Sequence, residues 1–243
     1  MLAHINIRHL VFIDIETVPQ FSSFAQLSPA MQQLWAAKHM HLHIENETPE
    51  ESYLKRAGVY SEFAKIICIS LGFFHFSPNG IRQFRVKSFF GDNEKELLLG
   101  FSALIKKSFN DPDHYNFCGH NIREFDIPFI CRRLLINHLT FPSLFDISGK
   151  RPWEISDIDT LQLWRFGDFK NYTSLKLLAE VLGIPTPKAD IEGKDVCRVY
   201  WVENGLPRIV EYCQKDVITV ARLLLRFKGE EQPLTDEEIF CSP

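Results

Sequence analysis

Asp14 and Glu16 stand two residues apart in Asp14-Ile15-Glu16-Thr17, which is entered directly from the apolar run Leu10-Val11-Phe12-Ile13. Side chains alternate faces along a strand, so a strand carrying this run presents two carboxylates side by side on one face at its end. Two such carboxylates repel, and either a shared proton or a bound divalent cation offsets that cost. An exposed strand end would carry the same triplet with no chemistry. Asp126 sits among the apolar residues Phe125, Ile127 and Phe129. There an ionised carboxylate needs a partner, or it serves as a helix cap. Tyr212 and Asp216 are spaced i,i+4 in Tyr212-Cys213-Gln214-Lys215-Asp216, which puts both on one face of a helix. Asp is a poor interior helix residue, so its place beside Val217 and Ile218 needs a reason: a metal, or pairing with Arg208 or Lys215. Hard carboxylate oxygens favour Mg²⁺ or Mn²⁺ over softer cations.

The elements that must position these groups read as an alternation of strands and helices. A strand is expected over His9 to Asp14, followed by a helical insertion over about 18–61. Within that insertion Ser28-Pro29 supplies an N-cap and first helical position before Ala30 to Lys38. The β-branched and apolar runs Lys65 to Phe76 and Ile81 to Phe90 flank Ser77-Pro78-Asn79-Gly80, whose turn chemistry marks a hairpin. An amphipathic helix over Asn93 to Ser108, a short strand near Tyr115 to Cys118 and a helix from Arg123 or Asp126 to about Asn137 come next. Asp159 with Gln162 resembles a capping box for Thr160 to Phe166. Helices then follow over Ser174 to Leu182, Asp195 to Glu203 and Pro207 to Phe227. The polar stretch 229–243 is expected to be a loosely held tail. With no internal repeat or low-complexity linker, one α/β domain over 1–243 is the better count.

A chain of 243 residues is long enough to bury a sizeable core. Its apolar runs, such as Ile66 to Phe74, fall far short of a bilayer span, and the N-terminus lacks a basic region followed by a long apolar one. No membrane partner is expected, and the cytoplasm is the expected compartment. The net charge of −4 and the lack of a dense basic block argue against a strong nonspecific duplex binder. An enzyme gripping a few nucleotides at a chain end remains compatible. Six scattered cysteines without Cys-x-x-Cys spacing point to reduced, buried thiols rather than disulfides or zinc. His39, His41 and His43 alternate at strand spacing, but their surroundings read as helix and loop, so they are expected to belong to a polar part of the insertion. Arg132-Arg133 and Lys106-Lys107 are expected on solvated helix surfaces.

Together the carboxylate stretches resemble the three motifs of the DEDD superfamily of 3′–5′ exonucleases, in its tyrosine-containing branch. The likeness is to the proofreading domain of family B DNA polymerases and to free-standing predicted exonucleases related to it. Asp14-Ile15-Glu16-Thr17 matches the first motif, Asn121 through Phe125-Asp126 the Asn-x-x-x-Phe-Asp form of the second, and Tyr212-x-x-x-Asp216 the third. The motifs span most of the chain in the order of that family, and no polymerase part is expected after them.

The resemblance implies a ribonuclease H-like fold: a central mixed five-stranded sheet flanked by helices, with the helical insertion after the first strand. It also implies hydrolysis of phosphodiester bonds at the 3′ end of single-stranded DNA with two ions, Mg²⁺ or Mn²⁺, about 3.5 to 4 Å apart, releasing nucleoside 5′-monophosphates. In that scheme Asp14, Glu16 and Asp216 hold the nucleophile-side metal and Asp14 bridges to the second. Asp126 acts mainly through the second metal's water shell. Glu16 also meets the terminal 3′-hydroxyl, and Tyr212 orients the attacking water. Thr17, Asn121 and Phe125 help to seat the terminal nucleotides, although Phe125 would equally suit core packing. DNA is favoured over RNA as the partner. The alternatives are a 3′–5′ exoribonuclease with the same carboxylates and a noncatalytic nucleic-acid-binding module of the same fold.

Overall fold

The computed structural model describes residue 2, residues 4–186 and residues 190–242; position 243, the last of the expected tail, lies outside them. The first strand, β1, runs over Leu10–Pro19, longer than expected. Asp14 and Glu16 therefore lie inside a strand and not at its end, because β1 pairs antiparallel with β2 (Ala64–Phe76) as far as Pro19 against Ala64. The register shifts between Glu16 and Thr17, whose partners are Cys68 and Ile66. A bulge of this kind twists a strand locally and is a usual device beside active sites.

β2 pairs antiparallel with β3 (Arg82–Phe90) through the expected hairpin turn, where Gly80 takes a φ of +80°. Short β4 (Asn116–Gly119) runs parallel to the start of β1, and β5 (Ile158–Asp159) runs parallel to β4. The sheet has six strands in the order β5-β4-β1-β2-β3-β6, not the expected five. The added edge strand, β6 (Ile239–Ser242), comes from the supposed loose tail and pairs parallel with β3. Two arginines hold the tail there: Arg82 donates to both carboxylate oxygens of Glu238 at 2.8 and 2.9 Å, and Arg222 donates to Asp236 at 2.5 Å and to the Leu234 carbonyl at 3.1 Å. The polar composition that suggests a free tail is thus the complement of two cations.

Alternation along β1 assigns its residues to two cores. Val11, Ile13 and Ile15 face α3 (Glu94–Ser108) and α4 (Asp126–Ile136), packing with Leu98, Phe101, Ile127 and Ile130. Leu10 and Phe12 face the other way, against the long helix α8 (Leu206–Lys228) and its residues Val217, Val220, Ala221 and Leu224. Asp14 and Glu16, in phase with Phe12, therefore point to the α8 side. α8 comes close to the sheet at Gly72 of β2. A Cβ there would stand 2.4 Å from Phe84 and 2.7 Å from Val217 Cγ1.

The segment between β1 and β2 carries α1 (Pro29–His41) and α2 (Pro49–Arg56), the expected helical insertion. Ser28 caps α1 by accepting from Met31 N, and Thr48 forms a capping box with Glu51 at α2. Trp35, Tyr53, Ala57 and Phe63 give this segment a small core of its own. The remaining short helices α5 (Thr160–Arg165), α6 (Leu175–Val181) and α7 (Val196–Trp201) follow β5 in the expected order. Among the described residues no helix is long and apolar enough to cross a membrane.

Candidate active site

β4 pairs with β1 only over Leu10 to Phe12, so the β4-side edge of β1 is open beyond that point. A buried backbone donor there needs a partner. The Ile15 N–H finds one in Asp126, whose Oδ1 accepts it at 3.1 Å. Asp126 opens α4 and is buried. Its carboxylate is therefore spent on the strand that carries Asp14 and Glu16, which decides between the cap and the partnered carboxylate in favour of the latter.

The turn leading to α4 is held from below. Asp159 accepts from the backbone N–H groups of Asn121 at 2.9 Å and Arg123 at 3.1 Å, and from Leu161 at 3.0 Å at the start of α5. Asn121 adopts φ of +66°, a left-handed conformation that Asn tolerates better than most residues. At Gly119 a Cβ would lie 2.8 Å from the Ile13 carbonyl and 2.0 Å from Ile122 Cγ2, so only glycine lets this turn approach β1 so closely. Asp159 as a cap is legible in the sequence; its second task of gripping the Asn121 turn is not, since it crosses from one element to another.

α8 supplies the opposite wall. Tyr212 and Asp216 share one side of it, and the Tyr212 phenol favours the ionised Asp216 carboxylate against the effect of burial. Neither suggested salt-bridge partner is the reason for Asp216: Arg208 pairs with Asp190 and Glu203, and Lys215 with Glu211. Between Tyr212 and Asp216 lies Cys213, fully buried, whose thiol donates to the Asp14 carbonyl at 3.4 Å. Its Sγ and one carboxylate oxygen each of Asp14 and Glu16 all fall within 4.8 Å of one another. Nothing in the local sequence announces this thiol beside the carboxylates, since the contact joins α8 to β1. Burial, then its contact with Cys68, raises its pKa well above the ordinary thiol value, so it stays protonated and is a poor ligand for a hard cation.

The four carboxylates destabilise one another's charge. Burial first, then the charges of Asp216, Glu16 and Asp126, push Asp14 well above its usual range. Glu16 is raised for the same reasons, burial first and Asp216 next. Burial lifts Asp126 to about 7, against the lowering effect of its backbone hydrogen bonds, and lifts Asp216 to about 6 against the Tyr212 hydrogen bond. Asp14 Oδ2 is buried with no hydrogen-bond partner. A buried carboxylate oxygen without a partner among other carboxylates is costly away from water, and either a proton or a bound cation offsets that cost. Asp14 and Glu16, with the Cys213 thiol beside them, bring ligand atoms close enough together to hold a metal ion.

The other expected residues are held by local partners. Thr17 Oγ1 donates to the Gly58 carbonyl at 2.7 Å, fastening the end of the insertion to β1. Phe125 is partly buried and packs on Phe129 with ring centroids 5.3 Å apart, at the edge of the main core. His39 is buried and bonds Ser52 Oγ at 2.9 Å near the end of α1, while His43 lies beyond that helix with φ of +49°. These histidines do not share a strand face. Arg133 is no solvated surface residue: it is buried and forks onto Glu94 at 2.8 and 2.5 Å.

A family model described as a predicted 3′–5′ exonuclease related to the exonuclease domain of PolB matches residues 59–240. The match takes in Asp126, Tyr212 and Asp216 and begins after Asp14 and Glu16. No curated protein matches the chain. Among solved structures, the family B DNA polymerase from the hyperthermophilic archaeon Pyrobaculum calidifontis is similar, with a TM-score of 0.55 and 14% identity over 90% of this chain. The chain spans only 24% of that polymerase's length, and the likeness is one of fold, consistent with a ribonuclease H-like arrangement of sheet and helices. By its family match, the chain belongs to the predicted 3′–5′ exonucleases related to the exonuclease domain of PolB.

Proposed function

We propose that the chain removes nucleotides from the 3′ end of single-stranded DNA, releasing nucleoside 5′-monophosphates, with two Mg²⁺ or Mn²⁺ ions held by Asp14, Glu16, Asp126 and Asp216. The observation that supports this reading is the buried, unpartnered Asp14 Oδ2, with a carboxylate oxygen of Glu16 within 4.8 Å of one of Asp14 and the charges of Asp216 and Asp126 acting on it. Bound cations would neutralise the phosphodiester and lower the pKa of the attacking water. All-oxygen donors suit Mg²⁺ or Mn²⁺, and the protonated Cys213 thiol leaves that preference intact.

The chain's own groups then divide the work. Burial and the neighbouring carboxylates raise the Tyr212 phenol, so it keeps its proton at neutral pH. Tyr212 therefore orients the attacking water by a hydrogen bond and does not act as its base. Glu16, nine-tenths buried beside Asp14, accepts from the terminal 3′-hydroxyl. Thr17 donates its proton to Gly58 and so offers its oxygen as an acceptor. Asn121, held in its left-handed turn, and the partly exposed edge of Phe125 complete the seat for the terminal nucleotides.

Metal-dependent shortening of a 5′-labelled single strand by wild type, absent in Asp14→Ala, is the expected result. Equal turnover by the two proteins in Mg²⁺ or Mn²⁺ would falsify the assignment. A parallel RNA strand separates a deoxyribonuclease from an exoribonuclease.

A further inference from the structure

Residues 166–172 expose three aromatic rings within seven positions: Phe166 is 74% exposed, Phe169 72% and Tyr172 65%. Trp153, in a separate loop, is 75% exposed. None of these rings belongs to a hydrophobic core, and several large aromatic rings left in water along one short segment mark a contact surface.

Their placement says what would cover them. Both loops are tied to the turn that carries Asn121 and Asp126, and by its otherwise unassigned residues. His120 Nε2 bonds the Thr173 carbonyl at 2.9 Å, and its ring stands 6.4 Å from Tyr172 in an edge-on arrangement. Glu124 pairs with Arg165 at 3.0 Å, just before Phe166. Arg123 donates to the Pro152 carbonyl beside Trp153 and to Gln162 at 3.0 Å. Tyr172 is near enough to the site that, after burial, the charges of Asp126, Asp159 and Asp216 raise its phenol. Cations accompany the rings: the Arg165 guanidinium lies 5.7 Å from the Phe169 ring centre, and that of Arg151 5.4 Å from Trp153. Exposed rings interleaved with Arg form the combination that holds single strands, since every base has a face to stack and every linkage a charge.

We propose that Phe166, Phe169 and Tyr172, with Trp153 beyond them, form a stacking ledge for the unpaired bases of a nucleic-acid strand whose 3′ end lies in the carboxylate site. This rests on the function proposed above and adds that single-strandedness is read by base stacking outside that site. The tethers through His120, Arg123 and Glu124 set the ledge at a fixed place relative to Asp126.

The test uses the Phe166→Ala/Phe169→Ala double variant and two substrates, a ten-nucleotide single strand and the p-nitrophenyl ester of thymidine 5′-monophosphate, which has no further bases. The ledge predicts a KM for the strand raised about tenfold, with hydrolysis of the ester as in wild type. In EDTA, a 2-aminopurine placed within the strand, upstream of the 3′ end, should be quenched by wild type and much less by the variant. Because both rings are exposed, the unfolding midpoint should stay put, and Leu99→Ala, an exposed α3 position, serves as the control. Unchanged KM and unchanged quenching in the double variant would overturn the ledge while leaving the exonuclease reading intact. Wild type that hydrolyses neither substrate would instead sink the reading on which the ledge rests.

Discussion

At the scale of single residues, the site is a set of like charges that the bare fold does not compensate. Asp14, Glu16, Asp126 and Asp216 all take up protons more readily than free carboxylates do. For groups raised in this way the native state binds more protons than the unfolded chain, so stability is greatest at low pH and is lost as pH rises through the folded values. With Asp216 at about 6 and Asp126 at about 7, the metal-free protein should lose stability from about pH 4 to pH 7. Thermal unfolding in EDTA across that range checks this. Asp126→Asn, which keeps an acceptor for Ile15 N–H, should flatten the slope, and Mg²⁺ or Mn²⁺ should restore the midpoint at pH 8. A midpoint in EDTA that rises with pH through this window would contradict the charge balance described. Tyr212→Phe removes one hydroxyl and no metal ligand. It should slow cleavage about a hundredfold through loss of positioning, with Mn²⁺ affinity by calorimetry unchanged.

At the scale of elements, the site depends on how close α8 and the Gly119 turn come to β1. Gly72 leaves room for Val217, the neighbour of Asp216, and an added methyl would meet both Val217 and Phe84. Gly72→Ala should cost roughly 1–3 kcal/mol in denaturant unfolding and lower kcat, because α8 must move and take Asp216 with it. A neutral effect on both would mean that α8 is not seated by this contact. The same geometry explains what could be read from the chain. The i,i+4 pairing of Tyr212 and Asp216 and the period-2 pairing of Asp14 and Glu16 are local rules, and both hold in the structure. β1 is longer than its sequence suggests because acidic residues mark a strand end locally, whereas here the partner β2 carries the pairing on to Pro19. The Cys213 thiol beside Asp14, the buried Arg133–Glu94 pair and the Asp159 grip on the Asn121 turn are contacts between distant segments. No local periodicity announces them.

At the scale of the whole molecule, the chain closes on itself through its last described residues, which add β6 to the sheet edge. Arg82 and Arg222 hold that return by their carboxylate partners. Arg82→Ala should loosen it, seen as faster proteolysis after Lys228 with the carboxylate site still active; unchanged cleavage kinetics would show that β6 stands without the clamp. The central claim is that Asp14, Glu16, Asp126 and Asp216, brought together from β1, α4 and α8, remove nucleotides from a 3′ end. It is tested most directly by digesting a single strand labelled at its 5′ end, in Mn²⁺, with wild type and Asp14→Ala side by side. A ladder shortening one nucleotide at a time from the 3′ end, EDTA-sensitive and absent in the variant, is the predicted result. Release of the 5′ label as a mononucleotide, or equal ladders from both proteins, would contradict it.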